Sequence, residues 1–180
     1  LIQYFGDKYR ISRIEAEALL AGIMLDTRTF TIRTGVRTFE AAAFLRRCGA
    51  DVTRVRKLFR EDAVEYKAKA DAVSQAEIYR QDYAISVCKS DGLESPTIIG
   101  AQAANELLNI IGIKASFVLT EYQGTIYVSA RSIDEVNVQL ITERMGGGGH
   151  MTIAGCQFEG ITVSEGIRKI KNCLDEMLEE

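Results

Sequence analysis

Four consecutive glycines, Gly146, Gly147, Gly148 and Gly149, run directly into His150, the only histidine of the chain. Glycine loses more backbone entropy on folding than any other residue, so four in a row need a reason that side chains could not satisfy. Access is one such reason: with no Cβ atoms in the way, successive N–H groups can converge on an anion, and a neighbouring imidazole can add a directed hydrogen bond or a proton. The competing reason is packing, in which a glycine-rich turn lets a helix and a strand pass closely while His150 is packed or solvated. One or two glycines would meet that steric need, and the length of the run therefore favours the anion. Asn137 to Met145 reads as a short helix and Met151 to Gly155 leads into an apolar stretch, so the glycines stand between packed elements. A flexible linker would carry serine and polar neighbours on both sides.

Two more residues could contribute charge chemistry. Arg131, followed by Ser132, lies at the exit of a β-prone run, where its guanidinium either meets a ligand gathered by the glycines or pairs with Asp134 or Glu135 as an edge-strand cation. Asp26 falls at the end of a helix, the unfavourable end for a carboxylate, beside Leu25 in a stretch expected to be buried, and so invites a cation or a set of donors. A local hydrogen bond from Asp26 to the turn Thr27-Arg28-Thr29 is the alternative. Arg28, Arg33 and Arg37 could pair with Asp26 or face a phosphate.

The 180 residues are 47% hydrophobic, enough for one domain or two small ones, with a net charge of -3. No polybasic block is present, which argues against a broad footprint on duplex DNA and leaves a small phosphorylated ligand held by a few local donors. Cys48, Cys88, Cys156 and Cys173 are far apart and show no C-x-x-C spacing, the pattern of buried thiols in a reducing compartment. No apolar run approaches the ~20 residues of a membrane span. The chain opens with Leu1-Ile2-Gln3-Tyr4-Phe5, without an initiator methionine and in a helical pattern, and is expected to be a fragment of something longer.

The elements that must position these residues follow from capping and periodicity. Ser12 and Glu15 form a capping box for a helix to about Met24 with Ile14, Leu19, Leu20 and Ile23 as its apolar face. Thr38 and Asp51 cap the next two helices, ending near Arg47 and Phe59, and Asp62 to Tyr79 reads as one alanine-rich, charged helix. The second half changes period: a strand at Tyr83 to Val87, a helix from Ser95-Pro96 to about Asn109, and a hairpin of Ala115 to Thr120 and Thr125 to Ala130. Gly155 to Phe158 supplies another strand, and Thr162 with Glu165 caps a last helix whose Ile167, Ile170, Leu174 and Met177 share a face. The alternation predicts an α/β chain: a helical part followed by a small mixed-sheet domain with packed helices.

Taken together, these residues resemble a known family. Ala21 to Thr27, with Leu25-Asp26-Thr27, followed by Phe30 to Ala42, is similar to the end of the DHH phosphoesterase domain of bacterial cyclic-di-AMP phosphodiesterases. Arg131-Ser132, Asn137-Val138, Gly146 to His150 and Ala154-Gly155 resemble the domain associated with it. The glycine-histidine motif alone is shared with short-oligonucleotide phosphatases, RecJ-like exonucleases and an alanyl-tRNA synthetase accessory domain. The resemblance divides the chain into residues 1–65, the end of the DHH domain, 66–80, a connecting helix, and 81–180, the associated substrate-binding domain. It implies hydrolysis of cyclic-di-AMP to linear pApA at a two-metal, usually Mn2+, site, with short linear dinucleotides as the alternative substrate and a nucleotide- or RNA-binding module as the non-enzymatic alternative. It assigns Asp26 to the metal, and Arg131, Ser132, Asn137, Gly146, Gly147, Gly148, Gly149 and His150 to the substrate. It also implies a parent anchored by N-terminal membrane helices with this part at the cytoplasmic face, the piece itself being soluble. Two-metal hydrolysis needs several convergent carboxylates and imidazoles, so this chain is expected to be catalytically incomplete and, with part of its first domain absent, to self-associate.

Overall fold

The computed structural model describes residues 10–133 and 135–179, and the chain divides into two compact units between Glu61 and Asp62. The helical pattern at Leu1 to Phe5 and the Asp134 partner suggested for Arg131 lie outside the described residues. No helix among the described residues is long and apolar enough to cross a membrane.

The first unit contains three helices, α1 (Arg13–Asp26), α2 (Val36–Arg47) and α3 (Val52–Leu58). The capping box of α1 forms as expected: Glu15 N–H donates to Ser12 Oγ at 3.3 Å and Ser12 N–H donates to Glu15 Oε2 at 2.7 Å. Its buried stripe matches the expected one at Leu20 and Ile23 only. Ala16, Leu20 and Met24 are buried at four-residue spacing against Leu45, Ala50 and Val55, whereas Ile14 is 74% exposed. The same phase explains Leu25 and Asp26, which are exposed although the sequence suggested burial. Glu17 instead lies inside, held by Arg13 at 3.0 Å and Arg54 at 3.3 Å, and hydrogen bonding from Arg13 holds its carboxyl below the usual range. Thr38 lies within α2, one turn past the Gly35 N-cap, and accepts from Gly35 N–H at 3.3 Å, so the helix starts before the expected cap.

The second unit opens with α4 (Ala63–Ser74), which ends five residues before the expected helix does. Glu77–Tyr79 is a short strand, β1, that turns back through Arg80 (φ 50°) and Gln81 (φ 68°) into β2 (Tyr83–Cys88). Then come α5 (Pro96–Leu107), β3 (Ala115–Tyr122), β4 (Thr125–Ser132), α6 (Val138–Arg144), β5 (Gly148–His150), β6 (Ile153–Glu159) and α7 (Val163–Glu179). The six strands form one sheet in the order β1-β2-β3-β4-β6-β5; β2 and β3 are parallel and the other pairs antiparallel. The α/β architecture is therefore the predicted one, three helices followed by a mixed sheet with packed helices.

Alternation along the strands sorts the side chains onto two faces. On one face Phe117, Leu119, Ile126, Val128, Ala154, Cys156 and Phe158 form a continuous core with Ile141 of α6 and Ile170 and Leu174 of α7. On the other, α4 and α5 cover Ala84, Cys88 and Val118. Serine hydroxyls fasten these helices to the sheet: Ser116 donates to the Ala104 carbonyl at 2.7 Å, and Ser86 to the Ala72 carbonyl. On that second face α5 also reaches β4, and among the described residues the hydrophobic cluster there includes none from β4, β6 or β5.

Candidate functional site

The glycine run does three different things. Gly146 N–H donates to the Glu143 carbonyl at 3.0 Å and Gly147 N–H to the Thr142 carbonyl at 2.8 Å, with Gly146 at φ 81°. These are the bonds of a Schellman motif, which closes the end of α6 on a left-handed glycine. Gly147 N–H is thus taken by the helix, so the successive N–H groups of the run do not all turn to an anion as the sequence suggested.

The next three residues are not a loop either, but the edge strand β5, pairing Gly148 with Gly155, Gly149 with Ala154 and His150 with Ile153. Ser132 N–H bonds the Thr152 carbonyl at 3.0 Å, so alternation turns Thr152 and Ala154 toward β4, and Ile153 and Gly155 toward β5. The amides of Gly148 and His150 consequently face the ladder. A Cβ on Gly147 would lie 2.1 Å from the Gly155 carbonyl oxygen, and one on Gly149 2.5 Å from Ala154 Cα at a φ of 145°. Both glycines answer to the close passage of β6. Gly148 does not: nothing lies within 4 Å of where its Cβ would be, and its φ is outside the left-handed region.

Three of the four glycines therefore have a folding reason and one has none. Gly148 shares its face with Gly155 and, across β6, with Ser129 of β4; in the flanking row, His150, Ile153 and Arg131 stand side by side. The result is a shelf without bulky side chains, bordered by an exposed imidazole and a half-buried guanidinium. Arg131 Nη1 lies over the sheet and donates to the Ala130 carbonyl at 2.8 Å. β4 is an interior strand, and Glu135 pairs with Lys114 at 3.5 Å, whose ammonium is held charged chiefly by its hydrogen bond to Asp82.

The remaining predicted residues stand elsewhere. Ser132 points to the opposite face, is 7% exposed and donates to the Met151 carbonyl at 3.4 Å. Asn137 is the N-cap of α6, its Oδ1 accepting from Gln139 N–H at 3.1 Å and Leu140 N–H at 3.3 Å. Asp26 belongs to the first unit, at the exposed end of α1. The turn after it is organised by Thr27, whose hydroxyl donates to the Ile23 carbonyl at 2.7 Å and accepts from Phe30 N–H at 2.9 Å, while Arg28, Thr29 and Phe30 all take positive φ.

Beside the shelf a cavity of about 390 Å³ is lined by Thr97 at the start of α5, Tyr127 and Ser129 of β4, and Gln157 of β6. These residues were missed in the sequence, although polar alternation along Tyr127-Val128-Ser129-Ala130-Arg131 carried the signal. Cys156 backs the shelf from the core side, and burial pushes its thiol up to about 12, so it has no thiolate character at neutral pH. All four cysteines are free thiols. Among the described residues no three His, Cys, Asp or Glu side chains gather as metal ligands. One exposed carboxylate at a helix end does not fit a two-metal centre, whose ions stand about 3.5–4 Å apart and need several shared ligands.

A sequence profile of the DHHA1 domain matches residues 81–180, which hold the whole sheet from β2 onward, the shelf and the cavity. The chain belongs to the DHHA1 domain family. The chain is 42% identical, over 99% of its length and 27% of the relative, to the cyclic-di-AMP phosphodiesterase GdpP of Geobacillus thermodenitrificans. The cyclic-di-AMP phosphodiesterase PdeA of Listeria monocytogenes is 41% identical over 97% of this chain and 27% of its own length. The chain thus spans about a quarter of the length of these curated relatives. Among solved structures, an exopolyphosphatase-related protein from Bacteroides fragilis superposes with a TM-score of 0.82 at 22% identity, over 98% of this chain and 54% of that one, a likeness of fold.

Proposed function

We propose that this DHHA1-containing chain is the substrate-holding part of a longer phosphodiesterase that opens cyclic-di-AMP to the linear dinucleotide pApA. The observation that carries the reading is the gathering of Gly148, His150 and Arg131 on one open sheet face, with Gly148 lacking any side chain for no reason internal to the fold. Identity of 42% and 41% to two proteins named for that activity supports the choice of substrate.

A phosphate settles over Gly148, close to the backbone because no Cβ intervenes. His150 donates a hydrogen bond to a phosphate oxygen and Arg131 supplies positive charge from the neighbouring strand, so the pair orients the diester by charge-assisted bonds. Metal ions, Mn2+ on the resemblance, would supply the hydrolytic chemistry. The residues described here do not build their site, so the role of this chain is binding and orientation. Asp26 is the residue proposed to reach a metal, with the other ligands coming from elsewhere in the longer protein.

A metal-supplemented turnover assay tests this on the full-length protein, comparing cyclic-di-AMP, cyclic-di-GMP and short linear RNA. Opening of cyclic-di-AMP is expected, and the 180-residue chain with excess manganese is expected to be inactive. Release of mononucleotides from linear RNA without opening of cyclic-di-AMP would replace the reading with a short-oligonucleotide hydrolase, and saturable RNA binding without turnover would replace it with a binding module.

A further inference from the structure

The cavity beside the shelf differs from the shelf in one chemical respect. His150 and Arg131 put cationic or donor groups along the first row, whereas the cavity is lined by uncharged residues: Thr97, Tyr127, Ser129 and Gln157 offer hydroxyls and one amide, with Val128, Cys156 and glycines between. Successive rows on one face of a strand lie about 7 Å apart, so the row of Gln157 and Tyr127 stands two rows, or about 14 Å, from that of His150 and Arg131. The row between them is Gly148, Gly155 and Ser129, and the last two also line the cavity, so it opens directly onto this floor. A ligand crossing this floor is charged at one end and neutral, planar and hydrogen-bonding at the other.

We propose that the cavity is a nucleobase subsite selective for adenine, with Gln157 as its specificity-determining residue and Tyr127 as its aromatic wall. The inference rests on the phosphate assignment above and extends it to the other end of the nucleotide. A primary amide presents one donor and one acceptor side by side, which matches the N7 acceptor and N6 donor of adenine. Guanine presents acceptors at both N7 and O6, so the amide oxygen of Gln157 would face an unmatched acceptor. The half-buried ring of Tyr127 gives the base a flat apolar surface, and Ser129 and Thr97 border the remaining edge. The volume of about 390 Å³ lies within the range of small-ligand sites.

The test is calorimetric titration of the 180-residue chain with pApA and with pGpG, comparing wild type, Gln157→Leu, Gln157→Glu, Tyr127→Leu and His150→Ala, each first checked for an unchanged melting temperature. Wild type should bind pApA about tenfold or more tighter than pGpG. Gln157→Leu should lose that preference while binding pGpG about as wild type does, Gln157→Glu, which has lost its donor to N7, should weaken both ligands, and Tyr127→Leu should weaken both as well. His150→Ala should weaken both in parallel and leave their ratio unchanged. A preference for pApA that survives Gln157→Leu overturns the subsite, as does a wild type with no preference. If His150→Ala changes neither affinity while Gln157→Leu still erases the ratio, the phosphate assignment falls and the base assignment stands. Absence of dinucleotide binding by the wild-type chain removes both.

Discussion

The two faces of the six-stranded sheet are made from the same strands and do opposite work. Along β4, Ile126, Val128 and Ala130 point into a core sealed by α6 and α7, while Tyr127, Ser129 and Arg131 point to the side of α5, which reaches β4 and whose Thr97 shares a cavity with Tyr127 and Ser129. β6 repeats the division, with Ala154, Cys156 and Phe158 inward and Ile153, Gly155 and Gln157 outward. Period-two alternation makes this possible, because one strand can then present a packed row and a polar row without either constraining the other. A rigid sealed face holds the open one in register, so a binding residue on β4 needs no support of its own.

The comparison breaks most visibly at the sealed face. Phe117 is fully buried in the middle of β3, and Phe117→Ala should destabilise the second unit by about 3–5 kcal/mol, the usual cost of emptying an aromatic site in a packed core. Tyr127→Ala, removing a ring of similar size from the open face three residues along the neighbouring strand from the partner of Phe117, should cost about 1 kcal/mol. Urea unfolding monitored by circular dichroism gives both numbers. Equal losses would mean that the open face is packed as tightly as the sealed one.

A sharper version lies inside the glycine run. Gly147→Ala would place a Cβ 2.1 Å from the Gly155 carbonyl oxygen and 2.5 Å from Cys156 Cβ, so strand backbone must move, at a cost on the order of 1–3 kcal/mol. Gly148→Ala meets no atom within 4 Å and should leave stability unchanged or raise it by about 0.4–1 kcal/mol through the unfolded state. Its expected cost is in binding, where the new methyl stands in the place of the ligand. Melting temperatures and pApA titrations of the two variants should therefore rank in opposite orders. Equal binding by Gly148→Ala and wild type would return all four glycines to a packing role.

How much of this was legible depended on where the signal sits. Both capping boxes, the Pro96 helix start and the β3–β4 hairpin were readable because each is a local bond between residues two to four apart. β1 was not, since its turn uses positive φ at Arg80 and Gln81, where no glycine or asparagine announces it. β5 was hidden for the reverse reason: glycine is a poor strand former, and only pairing with β6 makes Gly148–His150 a strand. In α1 the expected face holds at Leu20 and Ile23 but not at Ile14 and Leu19, strongly apolar residues that stand exposed beside a stripe of Ala16, Leu20 and Met24, and the burial of Glu17 depends on Arg54, far along the chain. At the site, the sequence supplied Gly148, His150 and Arg131. The separation of Arg131 from Ser132 onto opposite faces needed the register.

The smallest expected effect concerns the cap that starts α7, the helix sealing the packed face. Glu165 accepts from Thr162 N–H and from the Thr162 hydroxyl, at 2.7 and 2.9 Å, and Thr162 accepts in return from Glu165 N–H at 3.3 Å. The backbone bond from Thr162, followed by the hydroxyl bond, holds the Glu165 carboxyl below its usual range. A carboxyl depressed in the folded state stabilises that state above the unfolded-state value of about 4.3, and the contribution disappears as pH falls through the lower folded-state value. Glu165→Gln keeps the shape but loses the charge, so it should melt below wild type at pH 7 and converge with it as the wild-type carboxyl protonates below about pH 4. Thermal melts of both proteins from pH 7 to pH 3 measure the gap. A difference that stayed constant across that range would show that the cap works by shape alone. A narrowing gap would place an acid-sensitive charge on the helix that closes the packed face, outside the rows of His150, Arg131, Tyr127 and Gln157. Acid should then loosen the seal of the sheet without altering the shape of the shelf at Gly148.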